Sequence, residues 1–194
     1  MQDQMETVHY QKTFEKITWS EKIVKGREFQ DCTFKNCDLS SSDFDHNKFL
    51  DCTFELCNLS MMKLRGTTLS NVRFHQCKMM GINFNDCEKF LFSIVEFREC
   101  ILDYCSFMGK KLLRTKFIMS SLKEANFSGA ILQGALFDQT DLDLATFDRA
   151  DLTAADLTTA YNFIIDPENN IIRKASFSTQ GLAGLLVKYG IRIS

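Results

Sequence analysis

The sequence predicts an all-β fold: a four-sided solenoid of stacked coils, with a short helix closing its C-terminal end. Two observations lead to this prediction. An apolar residue recurs at every fifth position along most of the 194-residue chain, and phenylalanine and leucine alternate within that series. A period of five cannot keep to one side of an α-helix or of a β-strand, so the chain has to turn once per repeat.

The five-residue series runs in two registers, and every position in both is apolar. The first register contains Phe14, Trp19, Val24, Phe29, Phe34, Leu39, Phe44, Phe49, Phe54, Leu59, Leu64, Leu69, Phe74, Met79 and Phe84. The second contains Phe92, Phe97, Leu102, Phe107, Leu112, Phe117, Leu122, Phe127, Leu132, Phe137, Leu142, Phe147, Leu152 and Leu157. If each coil closes on itself, these side chains point inward and form one core, while neighbouring coils share ladder hydrogen bonds.

The number of sides follows from the positions of phenylalanine and leucine. From Phe97 to Leu152 the inward residues alternate strictly between the two types. A triangular coil would mix them in each vertical column, whereas a four-sided coil keeps each column nearly pure. Residues 12–159 would then form about seven coils, a rod of roughly 35 Å at about 4.8 Å per stacked strand.

A second column of usually small residues precedes the inward residues by two positions. All eight cysteines fall in this column when the first register is continued through Lys89: Cys32, Cys37, Cys52, Cys57, Cys77, Cys87, Cys100 and Cys105. Zinc sites use short clustered spacings, whereas a spacing of five places ligands on different walls of a coil. We therefore predict reduced packing cysteines, no metal site and no cofactor.

The two registers do not join in phase, because Phe84 and Phe92 are eight residues apart rather than ten. We expect residues 1–86 to form the N-terminal half of the β-helix and residues 92–160 the C-terminal half. Residues 87–91 form a register discontinuity, which is either a local bulge or a protruding contact loop.

Residues 161–194 are expected to form a turn followed by a capping and dimerisation helix. Ser178 is suited to begin this helix and Gly190 to end it. The apolar residues of the helix are Leu182, Leu185, Leu186 and Tyr189. These four side chains provide more apolar surface than is needed to cover one coil. We therefore predict that they also form a two-fold contact between two chains.

The units Ala125-Asn126-Phe127, Ala150-Asp151-Leu152 and Ala155-Asp156-Leu157 resemble the A(D/N)LXX signature of the pentapeptide repeat family. The resemblance extends over about three quarters of the chain. It implies a right-handed quadrilateral β-helix, a pentapeptide repeat solenoid, in agreement with the four-sided coil argued from the columns.

The C-terminal stretch is similar to the ending of the quinolone-resistance pentapeptide proteins and their chromosomal relatives. The similar residues are the Asp-Pro-Glu-Asn-Asn run at 166–170, Ala175, Phe177 and the segment 181–191. The resemblance implies a bacterial homodimer, joined through the C-terminal segment, that imitates DNA and binds DNA gyrase or topoisomerase IV, lessening quinolone inhibition. Plasmid-borne members have two loops that interrupt the coils, and this sequence has no comparable insertion.

Composition favours a binding protein over an enzyme. The net charge of −2 gives no support for direct binding to nucleic acid or to an anionic membrane, and no apolar run approaches the roughly 18 residues of a membrane span. The N-terminus lacks the features of a signal peptide, so we expect a cytoplasmic protein. No catalytic residue is predicted, because no catalytic motif is present and a filled solenoid has no cleft.

Charge is distributed unevenly along the predicted rod. Residues 124–168 hold nine acidic residues and one basic residue, while residues 104–123 hold five basic residues and no acidic one. Six aspartates adjoin inward positions and are expected to face solvent on different sides, as an acidic collar: Asp138, Asp141, Asp143, Asp148, Asp151 and Asp156. The collar either keeps the rod from aggregating or imitates phosphates for a topoisomerase. The alternative function is an interaction scaffold for an unrelated bacterial partner.

Overall fold

The computed structural model describes residues 7–88 and 93–192, and it shows a parallel β-solenoid. Ladder partners are twenty residues apart, as in Phe14 with Phe34 and Phe117 with Phe137, which confirms the four-sided coil. The strands are β1 (Val8–Tyr10), β2 (Thr13–Glu15), β3 (Glu28–Gln30), β4 (Thr33–Lys35), β5 (Lys48–Leu50), β6 (Thr53–Glu55), β7 (Thr68–Ser70), β8 (Val72–His75), β9 (Ile94–Arg98), β10 (Lys116–Ile118), β11 (Leu136–Asp138), β12 (Asp156–Leu157) and β13 (Ser176–Phe177). The helical segments are the 3-10 turns Phe84–Asp86, Gln180–Leu182 and Val187–Tyr189 and the helix α1 (Ala183–Leu186).

Two of the four sides carry extended strands. Side 1, which contains inward Phe34, is a nine-stranded parallel sheet in the order β13-β12-β11-β10-β9-β8-β6-β4-β2. Side 4, which contains Phe49, is a four-stranded sheet in the order β1-β3-β5-β7. Side 2, through Leu39, and side 3, through Phe44, are held by isolated parallel bridges between successive coils. The chain passes through the sides in numerical order.

The inward series is buried as predicted. Every described member from Val24 to Leu157 lies in the core, while Phe14 and Trp19 are partly buried because their coil has a described neighbour on one side only. The expected pure columns are present. On side 1 the ring centroids of Phe97, Phe117 and Phe137 are 5.3 and 4.9 Å apart. On side 3 those of Phe107, Phe127 and Phe147 are 5.1 Å apart at both steps.

All eight cysteines are free and buried, but their column does more than pack. Many polar members of the column donate a hydrogen bond to the carbonyl of an inward residue in the preceding coil, whereas Ser42 Oγ donates to Leu39 O within its own turn. Cys52 Sγ donates to Phe29 O at 3.3 Å, and Thr67 Oγ1 donates to Phe44 O at 2.7 Å. Where the column holds alanine, the turn supplies the donor instead, as Ala130 N does to Phe127 O at 2.9 Å. Both arrangements provide a donor for a carbonyl close to the core.

Three extra residues enter the rod near its middle. His75 pairs with Arg98 and Lys78 with Ile101, a spacing of 23 residues, and the register shifts between Val72 and Arg73. Residues 89–92 lie outside the described residues, including the inward position expected for Phe92. The division of the rod at residues 87–91 therefore stays a prediction.

Lys110 occupies the small column next to this irregularity, and only 4% of it is exposed. Its Nζ donates to Cys87 O at 2.7 Å, so its long side chain reaches the coil that contains the extra residues. A basic residue expected to contribute to surface charge is thus part of the interior.

The solenoid continues one coil beyond the repeat pattern. Leu157 pairs with Phe177, and both Phe163 and Ile165 are buried. The expectation that the coils end with the repeat is wrong, because this coil fills its interior with Phe163 where the five-residue step would place Asn162. With nine strands on side 1, the rod is about 38 Å long at about 4.8 Å per strand.

We expect Phe127→Ala to lower the free energy of unfolding by about 3–5 kcal/mol, because the stacked rings above and below cannot collapse into the cavity. Denaturant unfolding measures the loss. Leu113→Ala is the control, since Leu113 is 54% exposed and should change stability little. A loss below about 1 kcal/mol for Phe127→Ala would contradict the inward stacking.

Candidate functional site: the acidic collar and the C-terminal end

The described surface offers grooves rather than a deep cleft. Two of these grooves, each of about 500 Å³, are open and run between neighbouring coils on the outside of the rod. Among the described residues no group of three or more acidic, histidine or cysteine side chains could hold a metal ion. Within the same residues, no helix has the length and apolar character needed to cross a membrane. Binding would therefore take place on the outer surface.

The six aspartates surround the last coils of the rod. Asp138 and Asp156 lie on side 1, Asp141 and Asp143 on side 2, Asp148 on side 3 and Asp151 on side 4. The carboxylates are thus distributed around the whole circumference, as a collar and not as a stripe along one side.

Asp141 does not fit the expectation that all six carboxylates face solvent. It is only 8% exposed, its Oδ2 lies 3.3 Å from Lys123 Nζ, and its Oδ1 accepts a hydrogen bond from Asn162 Nδ2 at 2.8 Å. Lys123 and Asn162 come from the preceding and following coils. That prediction is wrong for Asp141, because side chains twenty residues away cover and neutralise it.

The other collar carboxylates are partly exposed. Four of them accept hydrogen bonds: Asp138, Asp148, Asp151 and Asp156. Asp151 Oδ1 accepts from Thr153 N at 2.9 Å, and its Oδ2 accepts from Gln133 Nε2 at 2.7 Å. Partial burial opposes ionisation of Asp151, but these hydrogen bonds outweigh it and lower its pKa. Hydrogen bonding by Asn169 and the neighbouring Arg149 also lower the pKa of Asp148. These two carboxylates are therefore charged at neutral pH.

The C-terminal segment begins and ends where the sequence predicts. Ser178 Oγ accepts a hydrogen bond from Gly181 N at 3.0 Å, and Gly190 has a φ of +61°. The helix itself is interrupted, with 3-10 turns on both sides of α1. A Cβ added at Gly184 would collide with Phe163 O, and one added at Gly181 would lie 2.8 Å from Phe163 Cζ. The two glycines thus allow the segment to lie directly on the last coil.

The four residues predicted for dimerisation divide into two groups. Leu185 and Leu186 are half-buried, and Leu185 packs against the core. Leu182 is 46% exposed and Tyr189 is 52% exposed. Val187 and Ile191, which the sequence argument did not include, are exposed to a similar extent. The end of the rod is covered, but the cover presents an apolar surface.

A charged clamp holds the end of this segment against the preceding turn. Lys188 Nζ lies 2.6 Å from both Asp166 Oδ1 and Glu168 Oε2, and Tyr189 OH donates to Glu168 Oε1 at 2.8 Å. The two carboxylates raise the pKa of Lys188, and Lys188 lowers the pKa of each carboxyl group.

We expect the C-terminal segment to detach in acid. Because the pKa values of Asp166 and Glu168 are lowered in the folded chain, their stabilisation is present above the ordinary carboxyl pKa and is lost as the pH falls below about 4. The backbone amide NMR signals of residues 180–190 measure this between pH 7 and pH 3. The variant Lys188→Gln should show no such transition. Identical titrations of the two proteins would contradict the clamp.

The geometry defines a class of protein: a filled, parallel β-solenoid that offers its outer surface for contact. Residues 27–93 match the family model described as a pentapeptide repeat region, and residues 120–158 match the one described as pentapeptide repeats (8 copies). Together these matches cover more than half of the chain, which belongs to the pentapeptide repeat family. A search of curated protein sequences finds no match.

Comparison with one solved structure, QnrB1, supports the fold. A trypsin-treated form of QnrB1, described as a plasmid-mediated fluoroquinolone resistance protein, aligns over 98% of this chain and 100% of its own with a TM-score of 0.63 and 17% identity. HetL, a pentapeptide repeat protein involved in heterocyst differentiation regulation from the cyanobacterium Nostoc sp. strain PCC 7120, aligns over 89% of this chain and 90% of its own, with a TM-score of 0.37 and 18% identity. At this identity the likeness to QnrB1 shows the fold alone.

Proposed function

We propose that the chain is a non-enzymatic rod that forms a homodimer through its C-terminal end and binds a bacterial type II topoisomerase, DNA gyrase or topoisomerase IV. The observation that carries the proposal is the position of the acidic collar. It encircles the same end of the rod that presents exposed apolar residues. A two-fold contact through that end would join two collars into one central acidic segment.

The exposed residues of the C-terminal segment support the dimer. Leu182, Val187, Tyr189 and Ile191 are all 46–56% exposed, and none of residues 180–189 is fully buried. Adjacent apolar side chains at this level of exposure are typical of protein contact sites. An isologous contact would bury them on both chains at once and would cover both rod ends.

The centre of such a dimer would resemble DNA in the sign of its charge but not in its density. Residues 124–168 carry a net charge of −8 and the cap residues 169–194 a net charge of +4, so the central segment of a dimer carries −8. In one chain residues 124–168 span little more than two coils, so with the two caps the central segment is about 30 Å long. B-DNA of that length carries roughly 18 phosphate charges. The whole chain has a charge of only −2, so any mimicry would be confined to the centre of the dimer.

The similarity to a fluoroquinolone resistance protein supports a topoisomerase as the partner, because these enzymes are the targets of quinolones. The proposed consequence is reduced quinolone inhibition. A scaffold for an unrelated partner is the second candidate. This second candidate is favoured by the sheet from β9 to β13, where successive coils pair at a constant spacing of twenty residues. That constant spacing leaves no room for the interrupting loops of the plasmid-borne quinolone-resistance proteins.

We expect the full chain to sediment as a dimer at micromolar concentration. The double variant Leu182→Glu, Tyr189→Glu should sediment as a monomer, because the glutamate charges would have to be buried in the apolar contact. Analytical ultracentrifugation measures both. Leu113→Glu, an exposed position on side 4, is the control and should remain dimeric. Deletion of residues 178–194 should give a monomer or an aggregate. A monomeric full chain would contradict the proposed interface.

We expect neutralisation of the collar to weaken topoisomerase binding strongly. The variant replaces the exposed members with asparagine: Asp138, Asp143, Asp148, Asp151 and Asp156. At Asp151 and Asp156 the fold should tolerate asparagine, because Asn126 Oδ1 accepts the same turn hydrogen bond as these two carboxylates, from Ser128 N at 2.9 Å. Binding of the wild-type chain to gyrase should weaken steeply with salt, since screening acts over about 8 Å at physiological ionic strength.

Binding assays at several salt concentrations, and gyrase supercoiling with and without a quinolone, measure this effect. The control neutralises exposed acids of the N-terminal half, in Glu15→Gln, Glu21→Gln and Asp31→Asn, and should bind normally. Binding that survives both neutralisation and salt would contradict phosphate mimicry. No binding of the wild-type chain would favour the scaffold function.

A further inference from the structure

Along the middle of the rod, exposed apolar side chains gather on one side. Between residues 27 and 161, ten large apolar residues are described as exposed, and eight of them lie on side 2 or on its two edges. These eight form the side 2 stripe: Leu56, Met61, Met80, Ile101, Tyr104, Met119, Leu144 and Tyr161. The remaining two are Met108 on side 3 and Leu113 on side 4.

Five members of the stripe occupy backbone positions that disfavour them. Leu56, Met61, Tyr104, Met119 and Leu144 stand at coil corners with φ between 47° and 63°. This left-handed conformation suits glycine and asparagine, whereas a bulky side chain costs conformational free energy there. On the edge between sides 3 and 4 the same corner position holds Gly26, Gly66, Gly109 and Gly129. Neither core packing nor backbone geometry explains the apolar corners of side 2.

The stripe has room for an elongated partner. Met61 lies across Gly81, where an added Cβ would stand 2.5 Å from Met61 Sδ. Further along, a groove of about 500 Å³ separates Met119 from Tyr161. The stripe extends over five coil spacings, about 24 Å. That is the length of an α-helix of about 16 residues.

The charges bordering the middle of the stripe are mainly acidic. Glu99 and Glu124 are exposed on its edges, and Asp103 is partly exposed on side 2. Lys78 is exposed nearby, whereas Lys123 already forms an ion pair with Asp141. A partner with basic residues beside its apolar residues would complement this border.

We propose that the side 2 stripe is the docking surface for a basic amphipathic helix of a partner protein, lying along the rod. Its apolar face contacts the stripe, where flexible methionines adapt to the shape of the helix. Its lysine and arginine side chains pair with Glu99, Asp103 and Glu124. The proposal can be tested apart from the topoisomerase proposal, because the collar variant leaves Glu99, Asp103 and Glu124 unchanged.

A synthetic helix of about 18 residues, with leucine on one face and lysine on the other, is the probe. The test variant is Met61→Asn, Tyr104→Asn, Met119→Asn. Asparagine tolerates a positive φ, so the thermal midpoint should stay equal or rise. Calorimetry should show the Kd rising about tenfold or more in this variant. Met108→Asn is the control and should bind like the wild-type chain.

Equal binding by the triple variant and the wild-type chain would overturn the proposal. So would equal binding of a peptide in which glutamate replaces every lysine, or the absence of saturable binding of the lysine peptide. Two other occupants are tested with the same variant. One outcome is that the wild-type chain binds phosphatidylcholine vesicles, or associates with itself in the ultracentrifuge, without binding the peptide. If the triple variant then loses that binding or association, the helix is overturned as the occupant of the stripe.

Discussion

The structure depends on one constraint, which is that the chain turns after every five residues. Each turn requires a corner residue, usually with positive φ, and directs one side chain inward, so successive coils repeat the same geometry twenty residues later. Ladder hydrogen bonds and ring stacking at about 5 Å then add the same contacts at each step. Since the interior is filled by this repetition, differences between coils appear on the surface, where any binding must take place.

The sequence predicts the core well because burial itself is periodic. Inward residues such as Phe97 and Leu152 are identified by their spacing alone, and the structure confirms them. It predicts surface exposure less well, because exposure depends on residues in neighbouring coils. Asp141 is covered by Lys123 and Asn162, and no local pattern marks that environment. The last coil is not predicted, because its inward residue is Phe163, one position after the residue that the five-residue spacing would place there.

The hydrogen-bonding role of the small column was missed, although a signal for it exists. The sequence predicts packing alone for the cysteines, yet cysteine, serine and threonine side chains in this column donate to carbonyls that the turn does not satisfy. At the corner between sides 1 and 2 the column reads Cys37, Cys57, Cys77, Cys100, Ser120 and Thr140, every one a donor to the coil before it. Burial also raises the pKa of Cys52 and Cys105 to about 12, which keeps these two thiols protonated at neutral pH.

A rod of nearly identical coils has a problem that other folds lack, because a coil can pair with the wrong neighbour during folding at little cost in contacts. Lys110 opposes such a slip. Its ammonium group is accommodated at one level of the rod, where Cys87 O accepts its hydrogen bond. In a pairing displaced by one coil, a positive charge would be buried among small side chains, at a large cost in free energy. Together with the three extra residues near the middle of the rod and the displaced Phe163, Lys110 distinguishes one level of the stack from the others.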